Sequence, residues 1–201
     1  GKTTTLGQAI KLLAEREKTV LVTAPSNTAV DLLSEKLAEL DLRVVRIGNI
    51  SRIDESILRH TLEYQISQHP DSKNVKKVKI QAADCRRQAN RLRSKRGYEA
   101  YEERKRLEQE ASELSAWANS LEQRLVDMIL DEAQVITCTL VGAAHPVLDQ
   151  RKFRTAIVDE AAQALEPATW IPITKASKLV LTGDPFQLPP TVKSQKKKKK
   201  G

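Results

Sequence analysis

Cysteine is almost missing from this sequence. Cys85 and Cys138 stand alone, far apart and with no Cys-x-x-Cys spacing, so neither a disulfide framework nor a zinc site is indicated. The three histidines, His60, His69 and His145, are equally isolated, and His145 precedes a proline as loop residues do. No chemistry falls to any of them. No apolar run approaches the ~20 residues that cross a bilayer, and no secretory signal is visible. Positive charge is also scarcer than it first looks. Of the net charge of +8, five charges are Lys196 to Lys200, which leaves +3 for the rest, so overall basicity is weak evidence for a nucleic-acid partner. The chain opens on Gly1 and its one Met is Met128, which predicts a piece of a longer protein.

What is present alternates between short apolar runs and helical patterns. Strands are expected near residues 19–23, 44–47, 134–139, 155–158 and 179–182, and 201 residues suit one α/β domain with an insertion. The most informative run is Ala156-Ile157-Val158, which breaks abruptly into Asp159-Glu160. Two carboxylates at the carboxyl end of a buried strand lie where open α/β sheets bind ligands, and they suit Mg²⁺ and a polarised water. A second string of the same kind, Ile129-Leu130-Asp131-Glu132, closes a long helical pattern instead and is taken as a decoy. Asp184 follows the Leu179-Val180-Leu181 strand in a loop rich in Gly and Pro.

Gly1-Lys2-Thr3 reads as the tail of a Gly-x-x-x-x-Gly-Lys-Ser/Thr phosphate loop, and Leu6, Ala9, Ile10, Leu12 and Leu13 supply the apolar face of the helix it must open. After the first strand, Ala24-Pro25-Ser26-Asn27-Thr28 leads into another helix. Its polar residues either cap that helix or, with its first amides, hold a phosphate of a nucleic-acid backbone.

From about residue 59 to 130 the alternation stops. Val75, Val78, Ala82, Cys85, Ala89 and Leu92 form one heptad seam, and Leu107, Ala111, Leu114, Ala118, Leu121, Leu125 and Met128 form another. Gly97 lies between them, so an antiparallel helical hairpin is expected. Residues 73–106 hold 13 Lys or Arg against 4 Asp or Glu, whereas residues 107–132 hold 1 against 7. The basic half is either a solvated face or an arm that touches phosphates through Arg86, Arg87, Arg91, Arg93, Lys95 and Arg96.

In order, Gly1-Lys2-Thr3-Thr4-Thr5, Ala24-Pro25-Ser26-Asn27-Thr28-Ala29-Val30-Asp31, Thr137-Cys138-Thr139, Asp159-Glu160-Ala161-Ala162-Gln163 and Gly183-Asp184-Pro185-Phe186-Gln187-Leu188-Pro189-Pro190 resemble the motifs of superfamily 1 helicases. The likeness is to the group containing the nonsense-mediated-decay helicase, senataxin and the immunoglobulin mu-binding helicase. It implies a RecA-like P-loop domain over residues 1–58 and 131–194, a helical hairpin insertion over 59–130 and a lysine-rich end at 195–201. It further implies ATP and Mg²⁺ as cofactors and a cytoplasmic or nuclear location. Gly1, Lys2, Thr3, Thr4 and Asp184 would serve the nucleotide, with Thr3 and Asp159 on the metal, Glu160 as general base, and Gln163 and Gln187 as sensors of the γ-phosphate. Pro25, Ser26, Asn27, Thr28, Thr137 and Thr139 would track single-stranded RNA or DNA.

The first half of the phosphate loop and the second RecA-like domain of such a motor, with its arginine fingers, are not in these residues. A fragment of this kind is expected to hydrolyse ATP very poorly on its own. Two rival readings remain. A chromosome-structuring ATPase also joins a phosphate loop to an acidic strand through a coiled coil, but it carries a Leu-Ser-Gly-Gly-type signature that residues 145–155 lack. A binding or protein-docking module with an inactive nucleotide site is the other.

Overall fold

A computed structural model describes residues 2–51, 54–94, 97–184 and 186, with Lys2 and Thr3 described at the backbone only. The chain forms two compact units, one made of the residues up to Leu62 and those from Leu130 onward, the other of Glu63–Ile129.

The first unit is an α/β layer structure of the RecA-like kind. Its elements are α1 (Lys2–Arg16), β1 (Val20–Ala24), α2 (Asn27–Ala38), β2 (Val44–Arg46) and the short α3 (Glu55–Leu58). After the second unit come β3 (Val135–Thr139), β4 (Phe153–Val158), α7 (Glu166–Lys175) and β5 (Ala176–Leu181). The sheet is parallel throughout, in the order β2-β3-β1-β4-β5. All five expected strands are present. β4 and β5 each start earlier than expected, at Phe153 and Ala176, because exposed Arg154 and Lys178 near their starts interrupt the apolar pattern.

The central strands are continuous apolar runs because both faces are covered. Val20 and Val22 of β1 point to one side with Val44, Val135 and Ile157. There they meet Leu6, Ile10 and Ala14 of α1 and Leu33 and Leu37 of α2 in one buried cluster, whereas Ala9 and Leu12, expected on the same face of α1, are exposed. Leu21, Ile136, Cys138 and Ala156 point to the other side and are also fully buried. Burial pushes the Cys138 thiol up to about 12, so it is an inert packing group. β5 differs. Leu179, Val180 and Leu181 stay exposed on this edge strand, as do Leu165, Trp170 and Phe186 near it.

The second unit consists of α4 (Leu62–Gln68), α5 (Ser72–Leu92) and most of α6 (Tyr98–Glu132). Lys79 Nζ lies 2.8 Å from Glu122 and Arg86 donates to Ser115 at 2.7 Å. Seven residues forward on α5 are thus seven residues back on α6, so the pair is antiparallel. Gly97 takes φ of +129° at the turn, a conformation that Gly adopts without a Cβ penalty. Val75, Val78, Ala82, Ala89, Leu107, Ala111, Ala118 and Leu125 are buried, as the seams require. Met128 is a correction: it is exposed, while Val126, Ile129 and Leu130 are buried. A straight helix gains about 20° per heptad on a strict seven-residue repeat, and over the length of α6 that drift moves the buried stripe off Met128.

Candidate nucleotide and nucleic-acid site

Because every strand is parallel, the loops after β1, β3, β4 and β5 emerge at one edge of the sheet. The backbone ties these loops together. Leu140 N–H donates to Ala24 O at 3.1 Å, Asp159 N–H to Thr23 O at 2.8 Å, and Ala161 N–H to Thr182 O at 2.7 Å. The start of α1 belongs to the same edge. α1 ends at Arg16 just before β1, and Glu17 accepts from Thr155 near the start of β4 at 2.8 Å, so the C-terminus of α1 lies at the amino edge and its N-terminus at the carboxyl edge. Lys2, Thr3 and Thr4 occupy that first turn of α1, and Thr4 is exposed.

The centre of this edge is the turn after β4. Asp159 Oδ1 accepts from the Glu160 N–H at 2.9 Å and from the Thr182 hydroxyl at 2.7 Å. Two donors fix the carboxylate, and its Oδ2 makes no hydrogen bond among the described residues. Glu160 takes φ of +52°, a left-handed conformation that costs a non-glycine residue energy and that clusters at functional sites. Its carboxyl is held above the ordinary glutamate range, first by burial and then by the negative charge of Asp159. Gln163 follows in a short 3-10 turn over Ala161–Gln163, with a side-chain amide that makes no hydrogen bond among the described residues.

The loop after β5 presses on this turn. A Cβ on Gly183 would stand 3.1 Å from the backbone nitrogens of both Ala161 and Ala162, so glycine lets the two loops approach. Asp184 follows at once and its Oδ1 accepts from Phe186 N–H at 3.1 Å. Gly183 was expected only as the first residue of its motif, and Thr182 was given no role. Their signal in the sequence is a Thr-Gly pair at a strand end, which is common and needs the neighbouring loop to give it meaning.

On the nucleic-acid side, the Ser26 hydroxyl caps α2 by accepting from Ala29 N–H at 3.2 Å. Pro25 and Asn27 are half-buried and Thr28 is exposed. Thr139 is half-buried and accepts from Gly142 N–H at 3.0 Å, which shapes the loop after β3. Thr137 is a correction. It is 0% exposed, and its hydroxyl lies 2.6 Å from that of Ser34, so it braces α2 against β3 and cannot reach a strand of nucleic acid.

In the hairpin, Arg91 and Arg93 are exposed and make no side-chain bond among the described residues. Arg86 is engaged with Ser115, and Arg87 pairs with Asp84. Gly1, Pro185, Gln187, Lys95, Arg96 and the side chains of Lys2 and Thr3 lie outside what the structure describes. Among the described residues no group of three or more His, Cys, Asp or Glu converges as a metal cage. His145 caps its own turn, accepting from Val147 N–H at 3.3 Å.

Asp131 lies at the opposite, amino edge, where α6 runs into β3. Arg151 donates to it at 2.7 Å and Lys18 stands 3.4 Å away, and the hydrogen bond from Arg151 holds its carboxyl below the ordinary aspartate range. It is part of a surface ion-pair cluster.

Comparison with known proteins agrees with the motif order. A family model described as "AAA domain" matches residues 1–195. The chain is 34% identical over 98% of its length to "DNA polymerase alpha-associated DNA helicase A" of Schizosaccharomyces pombe, covering 29% of that protein. It is 34% identical over 98% of its length to "DNA-binding protein SMUBP-2" of Rattus norvegicus, covering 20% of it. It is 33% identical over its whole length to "Regulator of nonsense transcripts 1 homolog" of Drosophila melanogaster, covering 16% of it. The chain thus spans less than a third of the length of these relatives. It belongs to this AAA-domain family, within the superfamily 1 helicase group of the nonsense-mediated-decay helicase, senataxin and the immunoglobulin mu-binding helicase.

Proposed function

We propose that these residues form the first motor domain of an ATP-dependent helicase or translocase that moves on single-stranded RNA or DNA inside the cell. The observation that carries this reading is the Asp159–Glu160 turn. One carboxylate is clamped by two donors with an oxygen left over, and the next has its pKa raised by burial and by that neighbour's charge, on the edge where α1 begins. Thr3 and Asp159 are the residues that would hold Mg²⁺, and the free Oδ2 of Asp159 is available to a metal-bound water. When bound, the ion neutralises charge developing on the β- and γ-phosphates of ATP. Lys2 and the first amides of α1 bind the phosphates, Glu160 accepts a proton from the attacking water, and Gln163 and Gln187 register the γ-phosphate. Ser26, Asn27, Thr28 and Thr139 contact the strand backbone, and Pro25 sets the entry to α2.

The first unit is the motor domain and the second is the inserted hairpin, whose arginines add sequence-independent contacts to phosphate. The relatives' greater length and the exposed apolar residues on the β5 edge support a further part of the same protein, a second RecA-like domain among it. In the full-length protein, Glu160→Gln should bind ATP and release almost no phosphate in the presence of a single-stranded oligonucleotide. A Glu160→Gln variant that retains turnover would remove Glu160 as the base, and a wild-type protein that binds ATP without releasing phosphate would leave a binding module whose nucleotide site is not catalytic.

A further inference from the structure

Arg46 ends β2 with its side chain fully buried. An arginine is tolerated there because its fork is engaged on every side. Nε donates to Asp31 Oδ1 at 2.9 Å, Nη2 donates to Asn49 O at 2.6 Å and to Asn27 Oδ1 at 3.0 Å, and Nη1 donates to the Ile47 carbonyl. The other oxygen of Asp31 accepts the backbone N–H and the hydroxyl of Ser51, both at 2.6 Å. Asn27 and Asp31 are four residues apart on one face of α2, so a single guanidinium joins the first turns of that helix to the turn after β2.

This bond fixes the orientation of the Asn27 amide. A guanidinium only donates, so the atom facing it is Oδ1, and the NH₂ group lies on the other branch. That NH₂ makes no hydrogen bond among the described residues, and Asn27 is half-buried at the start of α2. A freely rotating amide would present its oxygen to an anion as readily as its nitrogen. Here the oxygen is already taken.

We propose that Arg46 is a positioning residue for nucleic-acid binding: acting through Asn27, its guanidinium holds the side-chain amide with the N–H donors turned towards a backbone phosphate. The inference rests on the reading that the start of α2 grips the strand. Lysine in place of Arg46 keeps the charge but cannot reach Asp31, Asn27 and two carbonyls at once.

The test uses the full-length protein and a labelled single-stranded polypyrimidine oligonucleotide, with affinity read by anisotropy and folding by thermal melting. Asn27→Ala should weaken binding roughly ten-fold, the scale of one hydrogen bond to a charged group. If it binds like the wild type, the role of α2 in strand binding is wrong and the inference goes with it. If Asn27→Ala is weak, Arg46→Lys should be about as weak and the double variant no weaker than either, because both remove one donor. Losses that multiply in the double variant overturn the positioning role while leaving the strand reading intact. A buried lysine destabilises this region, so if Arg46→Lys does not fold, Asn27→Asp carries the test. It keeps an oxygen on Arg46 and puts a second one where the NH₂ was. Asn27→Asp should melt no lower than the wild type yet bind more weakly than Asn27→Ala, with the gap closing as salt is raised. An equal or tighter affinity than Asn27→Ala in a folded protein would overturn the proposal.

Discussion

Two Asp–Glu strings end two apolar runs in this chain, and the fold treats them in opposite ways. Asp159 and Glu160 stand at the carboxyl edge of the sheet, where no cation among the described residues pairs with either and where burial and mutual repulsion raise the Glu160 pKa. Asp131 and Glu132 stand at the amino edge, where Arg151 and Lys18 neutralise Asp131 and hold its pKa down. The difference is one of topology: in a parallel sheet the end of a strand and the end of a helix face opposite edges. A carboxylate left without a cation, on the edge to which helix N-termini point, is where a metal ion can supply the missing charge and bring a nucleotide's phosphates with it.

The sharpest way to break this contrast is to exchange each acid for its amide. Glu160→Gln and Asp159→Asn should each lower kcat for ATP hydrolysis by about 10²–10⁴, the usual contribution of a positioned base or charge. Asp131→Asn and Glu132→Gln should stay within about two-fold of the wild type. Steady-state phosphate release by the four variants of the full-length protein decides it, and loss of turnover in the Asp131 or Glu132 variant alone would mean that the wrong pair was chosen.

A second prediction disturbs one edge only. Gly183→Ala puts a methyl group 3.1 Å from two backbone nitrogens of the turn that presents Glu160. Shifting that turn by a few tenths of an ångström should lower kcat by about ten- to a hundred-fold, because catalytic rates are steep in the placement of reacting groups. Comparing kcat with nucleotide affinity checks it: affinity should change far less than turnover.

Much of this contrast was legible in the sequence and part of it was not. The apolar runs predicted all five strands, the central ones because both faces of a parallel sheet are buried there, and the strand-to-acid break at Val158–Asp159 predicted a turn at the carboxyl edge. Sequence order also set the two Asp–Glu strings apart, since Asp131 closes a helical pattern. What the sequence did not reveal were contacts made across the fold. Thr137 reads like Thr139, two residues on, yet one hydroxyl meets Ser34 beneath α2 and the other shapes the open loop. Arg46 gave a signal, a lone cation inside Val44-Val45-Arg46-Ile47, but its partners are 15 and 19 residues earlier in the chain.

The same distinction between paired and unpaired side chains divides the hairpin's arginines. Arg91 and Arg93 are exposed and make no side-chain bond among the described residues, whereas the side chains of Arg86 and Arg87 already have partners. Replacing Arg91 and Arg93 with Gln should flatten the log-log salt dependence of single-strand binding by about 0.7 for each phosphate that is no longer neutralised. The Arg86 and Arg87 replacements should flatten it less, although exposed pairs are weak enough to yield to a phosphate. A binding titration in which neither pair alters the slope would make the hairpin a spacer or a protein-docking arm.

The smallest effect concerns stability, and it is the one in which the two acid pairs should differ in sign. Glu160 has a raised pKa in the folded protein, so the folded state binds its proton more tightly than the unfolded chain does. Ionisation of Glu160 therefore costs stability, and the cost grows as pH rises from the unfolded value through the folded one and is complete above it. Asp131 has a lowered pKa, so its charge contributes stability that is present above its unfolded value and is lost as pH falls through the folded one. At pH 7, Glu160→Gln should melt above the wild type and Asp131→Asn below it. Asp131 is half exposed, so its loss should be at most about 1 kcal/mol, the range of surface ion pairs. Melting curves from neutral to acid pH should bring both variants towards the wild type as the carboxyls protonate, from opposite sides. If Glu160→Gln instead melts below the wild type at pH 7, then the Glu160 carboxylate is stabilised by a favourable contact, and the turn after β4 is not the uncompensated negative centre on which the nucleotide reading depends.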